Sequence, residues 1–235
     1  MRSATLRLSV IVPVFNDADQ LPTALASILC QTGADLELIV VDDGSTDDSL
    51  AIAREVAPGV IGISQANHGP AAARNRGLEL AHGEFISFLD ADDRWPTDRV
   101  AHHMQLFTQM PDADIVIGTT RTVRLIATGG QTTAPVLPAP LIQHHLASAT
   151  YRRRVFERVG RLNPELRIGE DKEWFQRALA AGVSIHLTPS VALEYRLREG
   201  SLTYGTIDHS YWFLAALRHH LHRQQNAAEK PDIHP

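Results

Sequence analysis

The sequence predicts an α/β fold built on a central, mostly parallel sheet. Three observations lead there. Short apolar runs recur that read as buried strands: Leu8 to Phe15, Leu36 to Val41, Val60 to Ser64 and Phe85 to Leu89. Stretches with helical spacing fill the gaps between them, and this alternation marks parallel strands joined by crossover helices. Two of the runs end in acid, Asp42-Asp43 and Asp90-Ala91-Asp92-Asp93. In an open α/β sheet, ligands bind at the carboxyl ends of strands.

Bulk properties fit one large domain. The chain has 235 residues, 44% hydrophobic and 21% charged, ordinary values for a globular protein with a sizeable core. No apolar run approaches the roughly 20 residues that cross a bilayer. Met1 to Thr5 lacks the apolar core of a signal peptide, and Arg7 and Pro13 interrupt Leu6 to Phe15, so a cytoplasmic location is expected. Cys30 is the only cysteine, which excludes an internal disulfide and a thiolate metal cage. A net charge of −5 argues against a general nucleic-acid binder.

Leu8 to Phe15 is the first strand, with Pro13 near its end. Asn16, Asp17 and Asp19 are helix-start residues for the segment carrying Leu21, Leu25, Ile28 and Leu29, and Gly33 is a fitting stop. Cys30 reads as core packing. After Leu36 to Val41, Gly44 permits a tight turn, and Ser45 to Asp48 can cap a helix beginning near Ser49. The acids here read either as a plain turn or as a ligand contact in which a carboxylate accepts from a base N–H. Gly69 and Pro70 open the next helix, whose N-terminus favours anions, with Arg74 one turn further in and Gly83 ending it.

Phe85 to Leu89 then delivers three carboxylates within four positions. Acids this close repel one another unless a cation sits among them. Hard divalent cations such as Mg²⁺ or Mn²⁺ take carboxylate oxygens and share their shell with phosphates. The functional reading is a metal–diphosphate site; an acidic turn that caps the next helix gives the same letters.

Four segments stand in order: Val10-Ile11-Val12-Pro13-Val14-Phe15-Asn16, Val40-Val41-Asp42-Asp43-Gly44-Ser45-Thr46-Asp47, Ala73-Arg74-Asn75-Arg76-Gly77 and Phe88-Leu89-Asp90-Ala91-Asp92-Asp93. Together they closely resemble glycosyltransferase family 2, the inverting nucleotide-sugar enzymes. The resemblance implies the GT-A fold, a Rossmann-like three-layer α/β/α arrangement around the central sheet. It is dense over the first hundred residues and looser over the next hundred.

Beyond Trp95-Pro96, Thr97 can cap a helix carrying Val100, Met104 and Phe107. Asp114 to Gly118 and Thr119 to Ala127 suggest strands, Gly129-Gly130 a turn, and Pro135, Pro138 and Pro140 a loop. His144-His145 reads as a solvated pair rather than as ligands. Ala147 to Tyr151 is expected to be extended and Arg152 to Val159 helical. Arg152, Arg153, Arg154, Arg158, Arg161 and Arg167 make the most basic stretch, read as a solvated face, with contact to an anionic acceptor as the alternative.

Gly169 precedes a helix with acids in its first turn and Trp174, Phe175, Ala178 and Leu179 as its apolar face. Glu170-Asp171 matches the family's Glu-Asp motif. Val183 to Leu187 and Val191 to Leu197 are further strands. Tyr195-Arg196 through Ser201 resembles a family segment near the diphosphate, without the histidine often found between Arg and Ser. Arg196 or Arg198 then neutralises phosphate, and Ser201 donates to it. Residues 207–223 read as a closing helix, with His219, His220 and His222 near its end, and residues 226–235 as a disordered tail.

The resemblance implies a single domain over residues 1–225, with a nucleotide-sugar and metal half at 1–95 and an acceptor half at 96–225. It implies that Pro13, Val14, Phe15 and Asp43 hold nucleobase and ribose, and that Arg74 lies near the nucleotide. Asp90 contacts ribose or the metal shell, Asp92 binds Mn²⁺ or Mg²⁺, and Asp171 is the general base. UDP, common in the family, is the expected nucleotide. The acceptor is a glycan, a lipid-linked glycan at the membrane face, a protein or a small molecule. Two rival readings remain. A nucleotidyltransferase would carry a Gly-rich basic loop after the first strand, where this chain has Phe15-Asn16-Asp17. A catalytically silent nucleotide-sugar binder would have no need of Asp90, Asp92 and Asp171 together. Neither a Gly-x-Ser-x-Gly elbow nor a Walker loop is present.

Overall fold

The structure, a computed structural model, describes residues 6–124, 126–128, 131–133 and 145–197. The chain opens with strand β1 (Arg7–Val14), helix α1 (Leu21–Leu29), β2 (Asp35–Asp42), α2 (Ser49–Val56), β3 (Ile61–Ser64), α3 (Pro70–Leu80) and β4 (Phe85–Phe88). It continues with α4 (Arg99–Gln109), β5 (Ile115–Arg124) and a small hairpin, β6 (Ile126–Thr128) with β7 (Gln131–Thr133). A 3₁₀ turn (Leu146–Ser148) leads into β8 (Ala149–Arg152), α5 (Arg154–Val159), α6 (Glu170–Ala180) and β9 (Ile185–Leu197). The main sheet has seven strands in the order β3-β2-β1-β4-β8-β5-β9. β1, β2, β3 and β4 pair in parallel, as do β5 and β9, and β8 runs antiparallel between β4 and β5.

Alternation along β1 builds the layers. Leu8, Val10, Val12 and Val14 face one side and pack with α1, Ala53 of α2, and Val100, Met104 and Phe107 of α4. Ile11 faces the other side with Ile39 and Val41 of β2, Ala71 and Ala73 of α3, Phe156 of α5, and Trp174 and Phe175 of α6. Phe156 stacks on Trp174 with ring centroids 4.9 Å apart. Pro13 sits beyond the last β1–β4 pair, Ile11 with Phe88, where that ladder has already ended.

Gly77 explains why α3 lies so close to the sheet. A Cβ there would stand 2.3 Å from Ile11 Cγ2. Gly77→Ala is therefore expected to destabilise by overpacking, about 1–3 kcal/mol, against a helix-propensity gain of about 1 kcal/mol. Urea unfolding of the single variants and of the pair with Ile11→Ala tests it. The pair should lose less than the sum of the singles, because Ile11→Ala clears the clash.

Several local expectations give way to tertiary demands. Asn16, Asp17 and Asp19 do not cap α1, which starts after Gln20 without a side-chain cap bond. Asn16 instead takes a positive φ of 50° and its Oδ1 accepts from Thr46 N at 2.7 Å, clasping the β1 and β2 loops together. α4 starts after Asp98, not Thr97, again without a side-chain cap bond. Gly118 is no strand boundary: β5 runs through it with a shift in register, and a Cβ there would meet Ala192 Cβ at 2.4 Å. The two strands expected over 183–197 are one, β9, an edge strand that tolerates Pro189. Residues 146–148 turn before β8 extends, and Arg152 closes that strand rather than opening a helix. Cys30 is exposed at the α1 C-cap, not packed in the core, and Leu29 is half exposed. In the basic stretch Arg154, Arg158, Arg161 and Arg167 do lie exposed on a solvated face, Arg154 pairing with Asp114 and Arg161 with Glu79, while Arg152 reaches Glu84 and Arg153 the Gly83 carbonyl.

Candidate active site

The carboxyl ends of β1, β2 and β4 lie side by side and bring the first site residues together. At β1, Pro13 and Val14 are buried, so Phe15, 50% exposed, is the side chain this segment presents. At β2, Asp43 N donates to the Val14 carbonyl at 2.8 Å, locking the two strand ends. The buried Asp43 carboxylate organises the next loop. Its Oδ1 accepts from Gln65 Nε2 at 2.7 Å and His68 N at 3.1 Å, and its Oδ2 from Gly69 N at 2.7 Å. A carboxylate has about four acceptor positions, so one remains for a ligand N–H. Gly69 and Pro70 then start α3 as the sequence predicts.

After β4 the chain turns, with Asp93 N donating to the Asp90 carbonyl at 3.1 Å. Asp90 and Asp92 stay partly exposed, whereas Asp93 is fully buried. Asp93 Oδ1 accepts from Arg196 N at 2.9 Å, and Arg196 Nη1 reaches the Asp92 carbonyl at 3.4 Å. Arg94 and Glu194 exchange backbone hydrogen bonds at 3.2 and 2.8 Å. The acidic turn is thereby laced to the end of β9, and this places the Arg196 guanidinium beside it. Burial, reinforced by the Asp92 and Asp90 charges, pushes the Asp93 carboxyl well above its ordinary range, despite Arg196.

The third component is the start of α6. Arg74, nearly buried, donates from Nη2 to Asp90 Oδ1 at 2.5 Å and from Nη1 to Glu170 Oε1 at 2.6 Å. Burial works to raise the Asp90 carboxyl, but the Arg74 guanidinium and then His145 outweigh it, and the net shift is downward. Glu170 moves the other way: burial is the largest influence, Arg74 opposes it, and Asp171 adds to it. Asp171 is half-buried, one position along, and its Oδ1 accepts from Lys172 N at 2.7 Å.

Carboxylate oxygens are the donors that a hard cation sharing its shell with a ligand would take. Asp93 Oδ2 is a buried carboxylate oxygen without a hydrogen-bond partner. Among the described residues no group of three or more His, Cys, Asp or Glu is arranged to hold an ion. A divalent cation there would take only part of its shell from protein carboxylates, with phosphate and water completing it, as Mg²⁺ and Mn²⁺ prefer.

Of the residues singled out in the sequence, Phe15, Asp43, Asp90, Asp171 and Arg196 fall at or just past strand ends or at a helix start, Asp92 in the turn after β4, and Arg74 one turn into α3. Ser201, Arg198, His144 and the histidines at 219, 220 and 222 lie outside the described residues, as do the closing helix, the tail and the Gly129-Gly130 turn. Two residues acquire parts the sequence did not assign. Asp93 holds β9, and Glu170 meets Arg74. His145 also lies close enough for its charge to bear on Asp90. Its ring centroid is 5.9 Å from that of Tyr195.

A family model described as glycosyl transferase family 2 matches residues 9–160. The chain belongs to glycosyltransferase family 2. A relative from Nostoc, the uncharacterized glycosyltransferase alr2836, is 35% identical over 68% of this chain and 55% of its own length. The succinoglycan biosynthesis protein ExoO of Rhizobium meliloti is 30% identical over 83% of this chain and 62% of its own. The uncharacterized glycosyltransferase YibD of Escherichia coli is 46% identical, over 41% of this chain and 29% of its own. The chain thus spans 29–62% of the lengths of these relatives. Solved structures agree in fold. Staphylococcus aureus TarS in complex with UDP-GlcNAc has a TM-score of 0.70 at 22% identity, covering 85% of this chain and 61% of that one. The mannosyltransferase PcManGT of Pyrobaculum calidifontis, with GDP-Man and Mn²⁺, has a TM-score of 0.68 at 21% identity, covering 86% and 60%. The fold of this family 2 chain is of the GT-A type.

Proposed function

We propose that this chain is an inverting, metal-dependent glycosyltransferase that moves a sugar from a nucleoside diphosphate, UDP by expectation, to an acceptor hydroxyl. The observation that carries the proposal is the Arg74 bridge. It sets the acidic end of β4 and the Glu170-Asp171 start of α6 at one site. Donor complexes of the structural neighbours, UDP-GlcNAc in TarS and GDP-Man with Mn²⁺ in PcManGT, support a nucleotide sugar and a divalent cation.

In this reading Phe15 offers a face to the base, while Asp43 fixes the 65–69 loop beside it and accepts a base N–H. Asp90 and Asp92 would hold Mn²⁺ or Mg²⁺, Arg196 or Arg198 would neutralise the diphosphate, and Ser201 would donate to it. The cation supplies Lewis-acid stabilisation of the leaving nucleoside diphosphate. Asp171 takes the proton from the acceptor hydroxyl as that oxygen attacks the anomeric carbon from the face opposite the leaving group. One displacement inverts the centre, so no protein nucleophile is needed.

The acceptor is a glycan, a lipid-linked glycan, a protein or a small metabolite. Among the described residues no helix is long and apolar enough to cross a membrane. The test is product mass spectrometry after incubation with UDP- and GDP-sugars and an acceptor extract. A sugar-sized mass gain, with an anomeric configuration opposite to the donor's by NMR, supports the reading, and donor consumption that releases a nucleoside monophosphate instead opposes it.

Asp43→Ala is expected to weaken nucleotide binding while leaving the metal chemistry intact. Losing a charge-assisted bond to the base costs about 1–3 kcal/mol, roughly tenfold or more in affinity. Calorimetry with UDP measures it, and unchanged affinity would remove Asp43 from the base site.

A further inference from the structure

We propose that Glu170 is a positioning residue. Through Arg74 it ties the start of α6 to the acidic end of β4, and so sets where the Asp171 carboxylate stands relative to the donor. The proposal rests on the reading of Asp171 as the base.

The start of α6 needs such a tie. Its N-cap is Gly169, in a left-handed conformation with φ 84°, and no side chain caps the helix. Successive helical side chains point about 100° apart. Glu170 turns inward, with a side-chain exposure of 10%, and Asp171 is left partly open. Arg74 joins partners that lie 16 and 96 residues away in sequence, at 2.5 and 2.6 Å. A guanidinium is a rigid planar fork, so carboxylates on its two outer nitrogens are held at a fixed separation and tilt. A flexible ammonium would give charge without that geometry. The third nitrogen, Arg74 Nε, is buried with no hydrogen-bond partner. Arg74 is therefore committed to the two acids rather than satisfied all round by the fold.

Stability alone does not call for this arrangement, since apolar side chains often replace buried ion groups without loss. Positional accuracy does. Asp171 must come within hydrogen-bond reach of a hydroxyl lined up on the anomeric carbon. A misplacement of about 1 Å can cost about 10²-fold in rate. The bridge fixes the Asp90-to-α6 distance, and that distance is what separates donor from base.

The experiment compares Glu170→Ala, Glu170→Gln and Asp171→Asn with the parent. Readouts are turnover at saturating donor and acceptor, donor KM, and UDP affinity in Mn²⁺ by calorimetry. Glu170→Ala is expected to lower kcat about 10–100-fold while donor KM and UDP affinity stay within about threefold. Glu170→Gln should recover kcat to within about threefold, because the glutamine oxygen accepts the same Arg74 bond. If Glu170→Ala melts below the assay temperature, Glu170→Met replaces it, keeping the packing but not the bond, with the same fall expected. Parental kcat in Glu170→Ala or Glu170→Met would overturn the proposal. So would Glu170→Gln as slow as Glu170→Ala, which would make Glu170 itself the base. Parental turnover in Asp171→Asn is a separate outcome that removes the base reading on which the proposal stands.

Discussion

Asp171→Asn is expected to cut turnover by about 10²–10⁴-fold, the usual contribution of general-base help. The substitution keeps the size of the side chain and removes the basic oxygen. Asn Oδ1 can still accept from Lys172 N, the bond that Asp171 makes at 2.7 Å, so the first turn of α6 should stay folded. The acceptor hydroxyl is a very weak acid, and removing its proton helps only as the glycosidic bond forms. The loss should therefore appear in kcat, with UDP affinity nearly unmoved. A variant that kept near-parental turnover would reduce the acids of α6 to helix-start residues that complement the dipole.

Loss of Mn²⁺-dependent nucleotide binding in Asp92→Ala is the second large effect. Three carboxylates share the turn after β4, but they are not equivalent. Asp93 is buried and accepts from Arg196 N, and Asp90 Oδ1 accepts from Arg74. Asp92, partly exposed, is the acid best placed to meet a cation from outside. Without a cation, diphosphate and Asp90 repel. UDP affinity in Mn²⁺ should therefore fall to its metal-free value. Thermal shift gives a second reading: UDP with Mn²⁺ should raise the melting temperature of the parent but not of the variant, because only a ligand that binds the native state stabilises it. Equal Mn²⁺-dependent affinity in both proteins would sink the assignment.

What the sequence made legible was local. The apolar run Phe85 to Phe88 before acids, the Gly69-Pro70 opening of α3, and the alternation through residue 88 all depend on neighbours a few positions apart. These features carried the parallel half of the sheet and the strand-end placement of Asp43, Asp90 and Asp92. The failures were non-local. No pattern within Ala149–Arg152 says that β8 slots antiparallel between β4 and β5. Gly118 looked like a break because the close approach of Ala192 cannot be seen along the chain. Asp93 reads as one more acid in a run, and only burial against Arg196 separates it from its neighbours. Arg74 was expected beside the nucleotide, and its two acid partners came into view only with the fold.

The lacing of the acidic turn to β9 also fixes when the site can exist. Asp93 and Arg196 are 103 residues apart in sequence. At translation rates of about 5–20 residues per second, roughly 5–20 s separate the synthesis of one from that of the other. Through that interval the Asp90–Asp93 segment has been made, but Arg196 N is not yet there to donate. Contacts between distant segments carry a loop-closure cost before they return anything. The seam that holds the carboxylate cluster can therefore form only after β9 has been made. A nascent or truncated chain ending before β9 would present these acids without the seam that holds them, and would handle cations as a loose acidic loop does.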